Sequence, residues 1–74
     1  MESTIIQCNI FTAMLANNNH HFLKEACRLL VRERNTTKIC EKIAYDKLLE
    51  LIYKVDNKEV QKYLKDHKIK YLCV

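Results

Sequence analysis

The chain has 74 residues, enough for one domain that buries only about 60 to 65% of its unfolded surface, so its stability is marginal and a partner or self-association is expected. Its 49% hydrophobic and 30% charged residues exclude a disordered chain, and the absence of glycine and proline argues against a many-stranded β fold, whose turns use both. The net charge of +4 is unevenly placed: residues 1–19 hold only Glu2, while His20 to Asn35 carry four bases against two acids.

Thr4 and Gln7 have capping-box spacing, and Ile6, Ile10, Ala13 and Met14 then repeat at helical intervals, which predicts a first helix over about 4–16. Asn17, Asn18 and Asn19 end it, because asparagine tolerates left-handed backbone angles and hydrogen-bonds its own turn. A second helix follows over about 20–34, with Leu23, Ala26, Cys27 and Leu30 on its inner face. Asn35 and Thr36 or Thr37 supply a stop and a new N-cap. The third helix is the longest, about 37–55, with Cys40, Ile43, Ala44, Leu48, Leu51, Ile52 and Val55 forming a stripe broad enough to touch two neighbours.

Asp56 and Glu59 make a capping-box-like pair, and Val55 with Val60 has the spacing of a hydrophobic staple around it. A fourth helix over about 57–66 would bury Val60, Tyr63 and Leu64. The remainder, "KIKYLCV", alternates Ile69, Tyr71 and Cys73 against Lys70, Leu72 and Val74, and fits an extended tail, a short strand or a frayed turn. The expected architecture is all-α: one compact four-helix domain over 1–74, a small antiparallel bundle or a pair of helical hairpins, with a short C-terminal tail.

"TAMLANNNHHFLKEACRLL" and "LLELIYKVDNKEVQKYL" share an order of apolar helix, Asn-containing turn and second helix with a basic outer face. This loosely resembles the helix-turn-helix halves of ankyrin-type repeats. Asn19 and Asn57 are 38 positions apart, against a family period near 33. The family's Gly-containing turns and Thr-Pro-Leu-His start are missing too, so no family is identified on this pattern.

The four cysteines, Cys8, Cys27, Cys40 and Cys73, are scattered, and three of them fall inside helices among apolar residues, where reduced cysteine acts as a small hydrophobe. With no secretory leader and no apolar run near the ~20 residues of a membrane span, the expectation is reduced thiols and an intracellular setting, cytoplasmic or nuclear, away from the membrane. Met1 and an apolar Val74 are compatible with a complete chain. The "NTT" at Asn35 fits a glycosylation sequon that such a setting leaves unused.

His20 and His21 invite a metal reading, but neighbouring helical residues point about 100° apart, and the chain offers neither C-x-x-C nor H-x-x-x-H. Cys27 with a histidine as base would form a nucleophile pair, yet burial on the apolar face raises a thiol's pKa. Asp46 and Glu50, one turn apart, have Lys47 and Lys54 beside them and read as a solvated face. No metal, cofactor, small-molecule substrate or catalytic activity is therefore expected.

Two binding readings remain. The first is protein-protein interaction or homo-oligomerisation, carried by Tyr45, Leu49 and Tyr53 on helix 3. Leu49 lies off the main stripe, and tyrosines give large contact area at low entropy cost. The second is nucleic-acid binding by Lys24, Arg28 and Arg32, whose i, i+4, i+8 spacing sets three cations along about 12 Å of one helix face. Lys38 and Lys42 would extend that patch. A sharper form is a DNA-reading helix-turn-helix with Thr36, Thr37, Lys38 and Glu41 at the bases, though helix 3 is long for that role. The terminal "LCV" has the hydrophobic-x-hydrophobic form that strand-addition pockets accept, or is a tail tucked against the bundle.

Overall fold

The computed structural model describes residues 3–69. In them the chain forms four helices, α1 (Thr4–Ala16), α2 (Leu23–Arg32), α3 (Ile39–Lys54) and α4 (Lys58–Asp66), with no strand among the described residues. The fold is all-α, as the spacing of apolar residues predicts. The alternation of residues 70–74 and the "LCV" terminus lie outside the described residues.

The caps differ in detail from those the sequence suggests. Ser3, not Thr4, caps α1: its hydroxyl accepts the Ile6 N–H at 3.2 Å. Helix α2 is shorter than 20–34: Asn19 Oδ1 accepts the His21 N–H at 3.2 Å, and His21 and Phe22 form a turn closed by the Leu23 N–H on the His20 carbonyl at 3.2 Å. At its other end the Thr36 N–H bonds the Glu33 carbonyl at 3.1 Å, closing a turn over Glu33 to Asn35. Neither Thr36 nor Thr37 caps α3, which starts at Ile39 after Lys38, and the Thr36 hydroxyl donates instead to the Glu41 carboxylate at 2.6 Å. In α4 the cap is Asn57, accepting the Val60 N–H at 3.2 Å, rather than the Asp56 and Glu59 pair.

A chain without glycine must still turn, and among the described residues three adopt the left-handed conformation to do so, Asn18 (φ 59°), Asp56 (φ 59°) and Lys68 (φ 61°). Two of them complete Schellman closures. After α1 the Asn19 N–H reaches the Met14 carbonyl at 2.8 Å and the Asn18 N–H reaches Leu15 at 3.0 Å. After α4 the Ile69 N–H reaches Leu64 at 2.8 Å and the Lys68 N–H reaches Lys65 at 2.9 Å. This second closure folds Ile69 back into the core, where Leu64 is also buried.

Helix α1 packs chiefly along α3, and α2 packs on α1, α3 and α4. The main packing thus joins alternate helices rather than neighbours in sequence. Leu30, Leu48, Ile52 and Leu64 are fully buried with Cys8 and Cys27, and each large aliphatic contributes about 1.5–3 kcal/mol. Polar ties lock the layers. The Tyr45 hydroxyl donates to the Leu30 carbonyl at 2.9 Å, and Tyr53 donates to the Ile69 carbonyl at 3.2 Å. Arg34 Nη1 reaches the His67 carbonyl at 3.2 Å, joining the α2–α3 link to the end of α4.

Lys68 is the least suited of the three turn residues, since a side chain larger than Asn or Asp costs about 1–2 kcal/mol in the left-handed region. Lys68→Gly should raise the urea midpoint, with a gain of up to about 1 kcal/mol after the added unfolded-state freedom of glycine is subtracted. An unchanged or lower midpoint would contradict this turn.

Candidate functional site

The basic row keeps the geometry its spacing implies. Lys24, Arg28 and Arg32 are all exposed on the outer face of α2. The two arginines are not bare cations, however. Arg28 lies 3.9 Å from Glu25, and Arg32 meets Glu33 through Nε at 3.3 Å and Gln7 Oε1 through Nη2 at 2.9 Å. Lys38 is exposed at the start of α3, and Lys42 is engaged with Asp46 at 3.3 Å.

A groove runs along each side of this row. Between α1 and α2 one of about 340 Å³ is lined by Ile10, Phe11 and Leu29, with Gln7, Glu25, Arg28 and Arg32 around them. Between α2 and α4 another of about 250 Å³ is lined by Lys24, Cys27, Arg28, Glu59, Val60 and Tyr63. Arg28 belongs to both. Lys38 lines neither.

The expected protein interface on α3 needs correction. Tyr45 and Leu49 are each only 5% exposed and belong to the core, and Tyr53 is half-buried with its hydroxyl on Ile69. Leu49 is three residues from Ile52, or about 60° around the helix, so both face inward. The same phase turns other residues out. Ile39 and Ile43 are 77% and 64% exposed, and Cys40 is exposed beside them. Ile43 and Cys40 therefore leave the inner stripe assigned to them. Ile6 and Ile10 on α1 are half-exposed in the same way.

Spacing could have found these residues. Ile43 and Ile52 are nine residues apart, two and a half turns, and so lie on opposite sides of one helix. A helix apolar on both sides either sits deep in a protein or offers one side to something else.

Among the described residues the histidines, cysteines and carboxylates do not converge on one point. Among the described residues no three of His, Cys, Asp and Glu come close enough to hold a metal ion. His20 and His21 are exposed, and the His21 ring meets the edge of Phe22 at 4.7 Å. Asp46 and Glu50 each pair with a lysine one turn away, Lys42 at 3.3 Å and Lys54 at 3.4 Å. Among the described residues no helix is long and apolar enough to cross a membrane.

Cys8, Cys27 and Cys40 are free thiols. Burial, with the nearby charges of Glu33 and Glu41, pushes the Cys8 thiol up to about 11, and burial alone takes Cys27 to about 11. Both stay protonated at neutral pH, which removes the nucleophile that a Cys27 and histidine pair would need. Burial likewise raises Tyr45 to about 12, with Asp46 and Cys8 adding to the rise and Arg34 opposing it. Tyr53 is raised by burial and then by Cys27.

No protein-family model matches the chain, and neither a curated protein nor a solved structure matches it significantly.

These raised values make the fold sensitive to alkali. A thiol whose folded pKa is about 11 against an ordinary 9.0 binds its proton more tightly when folded, so its contribution is complete below pH 9 and is lost as pH rises through 11. The urea midpoint should accordingly hold up to about pH 9 and then fall. Cys27→Ala should make the fall shallower. A midpoint that is flat between pH 9 and 11 would mean that these thiols are not buried.

Proposed function

We propose that this protein is a protein-protein interaction module that acts by binding, and that the outer face of α3 is where a second copy of the chain docks. The observation that carries this reading is the pair Ile39 and Ile43, one turn apart and both largely exposed on a helix whose opposite side already fills the core. Exposed isoleucines on successive turns form a patch that water penalises, by about 25 cal/mol for each Å² of apolar area, until something covers it.

The charges around the pair favour a second copy. On this face Lys42 pairs with Asp46 and Lys54 with Glu50, which leaves Lys47 as its one excess charge although the whole chain carries +4. Two copies meeting there face less repulsion than their net charge would otherwise impose. A two-fold pairing uses the same patch twice and closes on itself, which is the commonest way small proteins associate.

Sedimentation equilibrium tests this directly. The wild-type chain should associate with a dissociation constant below about 1 mM, and the double variant Ile39→Asp with Ile43→Asp should be monomeric with unchanged helix content. A wild-type protein that stays monomeric throughout that range, or a double variant that associates equally well, would overturn the reading.

Nucleic-acid binding is the second reading, favoured by the exposure of Lys24, Arg28 and Arg32 on one face. Three phosphate contacts would give a salt slope near −2 to −3. Titration of labelled duplex and single-stranded nucleic acid at two salt concentrations should show that slope, and reversal of the three residues to Glu should abolish it. No binding at low salt would remove this reading.

A further inference from the structure

We infer that the groove between α1 and α2 is a docking site for an acidic, amphipathic segment of a protein partner, which seats an apolar side chain on Ile10, Phe11 and Leu29 and a carboxylate on Arg28 and Arg32. The inference rests on the reading of the protein as an interaction module but uses a different surface from the outer face of α3.

The groove has the two parts that such a partner requires. Its floor is apolar, with Leu29 buried, Phe11 half-buried and Ile10 half-exposed. Its volume of about 340 Å³ is at the small end of binding pockets, which run from roughly 300 to 1,000 Å³, so it suits an anchoring side chain rather than a whole small molecule. Ile6, one turn before Ile10 and half-exposed, continues the apolar surface along α1. Seating an amphipathic helix by anchors on successive turns is a recurring mode of peptide recognition.

The rim supplies the charge, two guanidiniums, Arg28 and Arg32, against the one carboxylate of Glu25 among its lining residues. Each guanidinium has five donors in a planar fork that matches a carboxylate. Among the described residues Arg28 has only a long, exposed contact to Glu25 at 3.9 Å, a pairing of small energetic worth. Arg32 is braced by Gln7 at 2.9 Å and by Glu33 at 3.3 Å, which sets its position on the rim while engaging two of its donors. A phosphodiester backbone would use the two arginines but has nothing to place on Ile10 and Phe11. The apolar floor therefore favours a peptide over a duplex, and a single strand, whose bases stack on aromatic rings, is the competitor that the oligonucleotide below tests.

Three labelled probes test the proposal by fluorescence anisotropy: a designed peptide of about 14 residues, four helical turns, with leucines on one face and glutamates on the other; its lysine counterpart; and a single-stranded oligonucleotide. The acidic peptide should bind at least about tenfold more tightly than the lysine peptide, a difference of about 1.4 kcal/mol. Arg28→Glu with Arg32→Glu, both at exposed positions, should reverse that preference. Ile10→Asp should weaken binding of the acidic peptide, whereas Lys24→Glu, outside this groove, should leave it unchanged. Equal binding of the two peptides, no binding of either, or binding of the oligonucleotide alone and without dependence on Ile10 would overturn the proposal. Sedimentation of the same samples separates the two claims: loss of peptide binding with self-association intact removes the groove alone, while loss of both removes the interaction reading as well.

Discussion

Along α3 each residue advances about 100°, so burying Tyr45, Leu48, Leu49 and Ile52 on one side obliges Ile39 and Ile43 to face the other. That phase is held by more than apolar contact, because the Tyr45 hydroxyl is bonded to the Leu30 carbonyl. A rotation of α3 would strand that hydroxyl and carbonyl inside the protein, at a cost of about 1–3 kcal/mol. It would also lift Leu48 and Ile52 out of the core. The apolar outer face of α3 is thus a consequence of how the core is built, and the interaction reading depends on it.

The helix boundaries were legible because this chain punctuates itself with short polar residues. The NNN run does what asparagine chemistry suggests: Asn18 takes the left-handed turn, Asn17 Nδ2 returns to the Ala13 carbonyl at 2.8 Å, and Asn19 accepts from His21. Two of the misassigned caps, those of α1 and α4, have a common cause. Ser3 beside Thr4 and Asn57 beside Asp56 offer two capping side chains in a row, and the choice between them rests on backbone angles that the sequence does not display. Lys68 had no signal at all, since nothing about a lysine announces a positive φ.

The candidate site was less legible, for a geometric reason. Tyr45, Leu49 and Tyr53 were attractive because tyrosine serves both cores and interfaces, and composition cannot distinguish the two. Counting every apolar residue of α3 into one broad stripe hid the fact that Ile39 and Ile43 lie opposite Ile52. The basic row was easier to read, because i, i+4, i+8 spacing of long cations on a short helix leaves them little choice but solvent. What could not be read was the company they keep: Gln7, 25 residues before Arg32 in sequence, is its hydrogen-bond partner.

The central claim is the orientation of α3, and solvent exposure of individual methyl groups tests it most directly. With Ile and Leu methyls labelled for NMR and a soluble paramagnetic agent added, Ile39 and Ile43 should relax strongly, whereas Leu48, Leu49 and Ile52 should be shielded. In a sample that self-associates, the two isoleucines should regain exposure on dilution. Strong relaxation of Leu49 alongside shielding of Ile43 at every concentration would mean that α3 is rotated, and the account built on its outer face would fall.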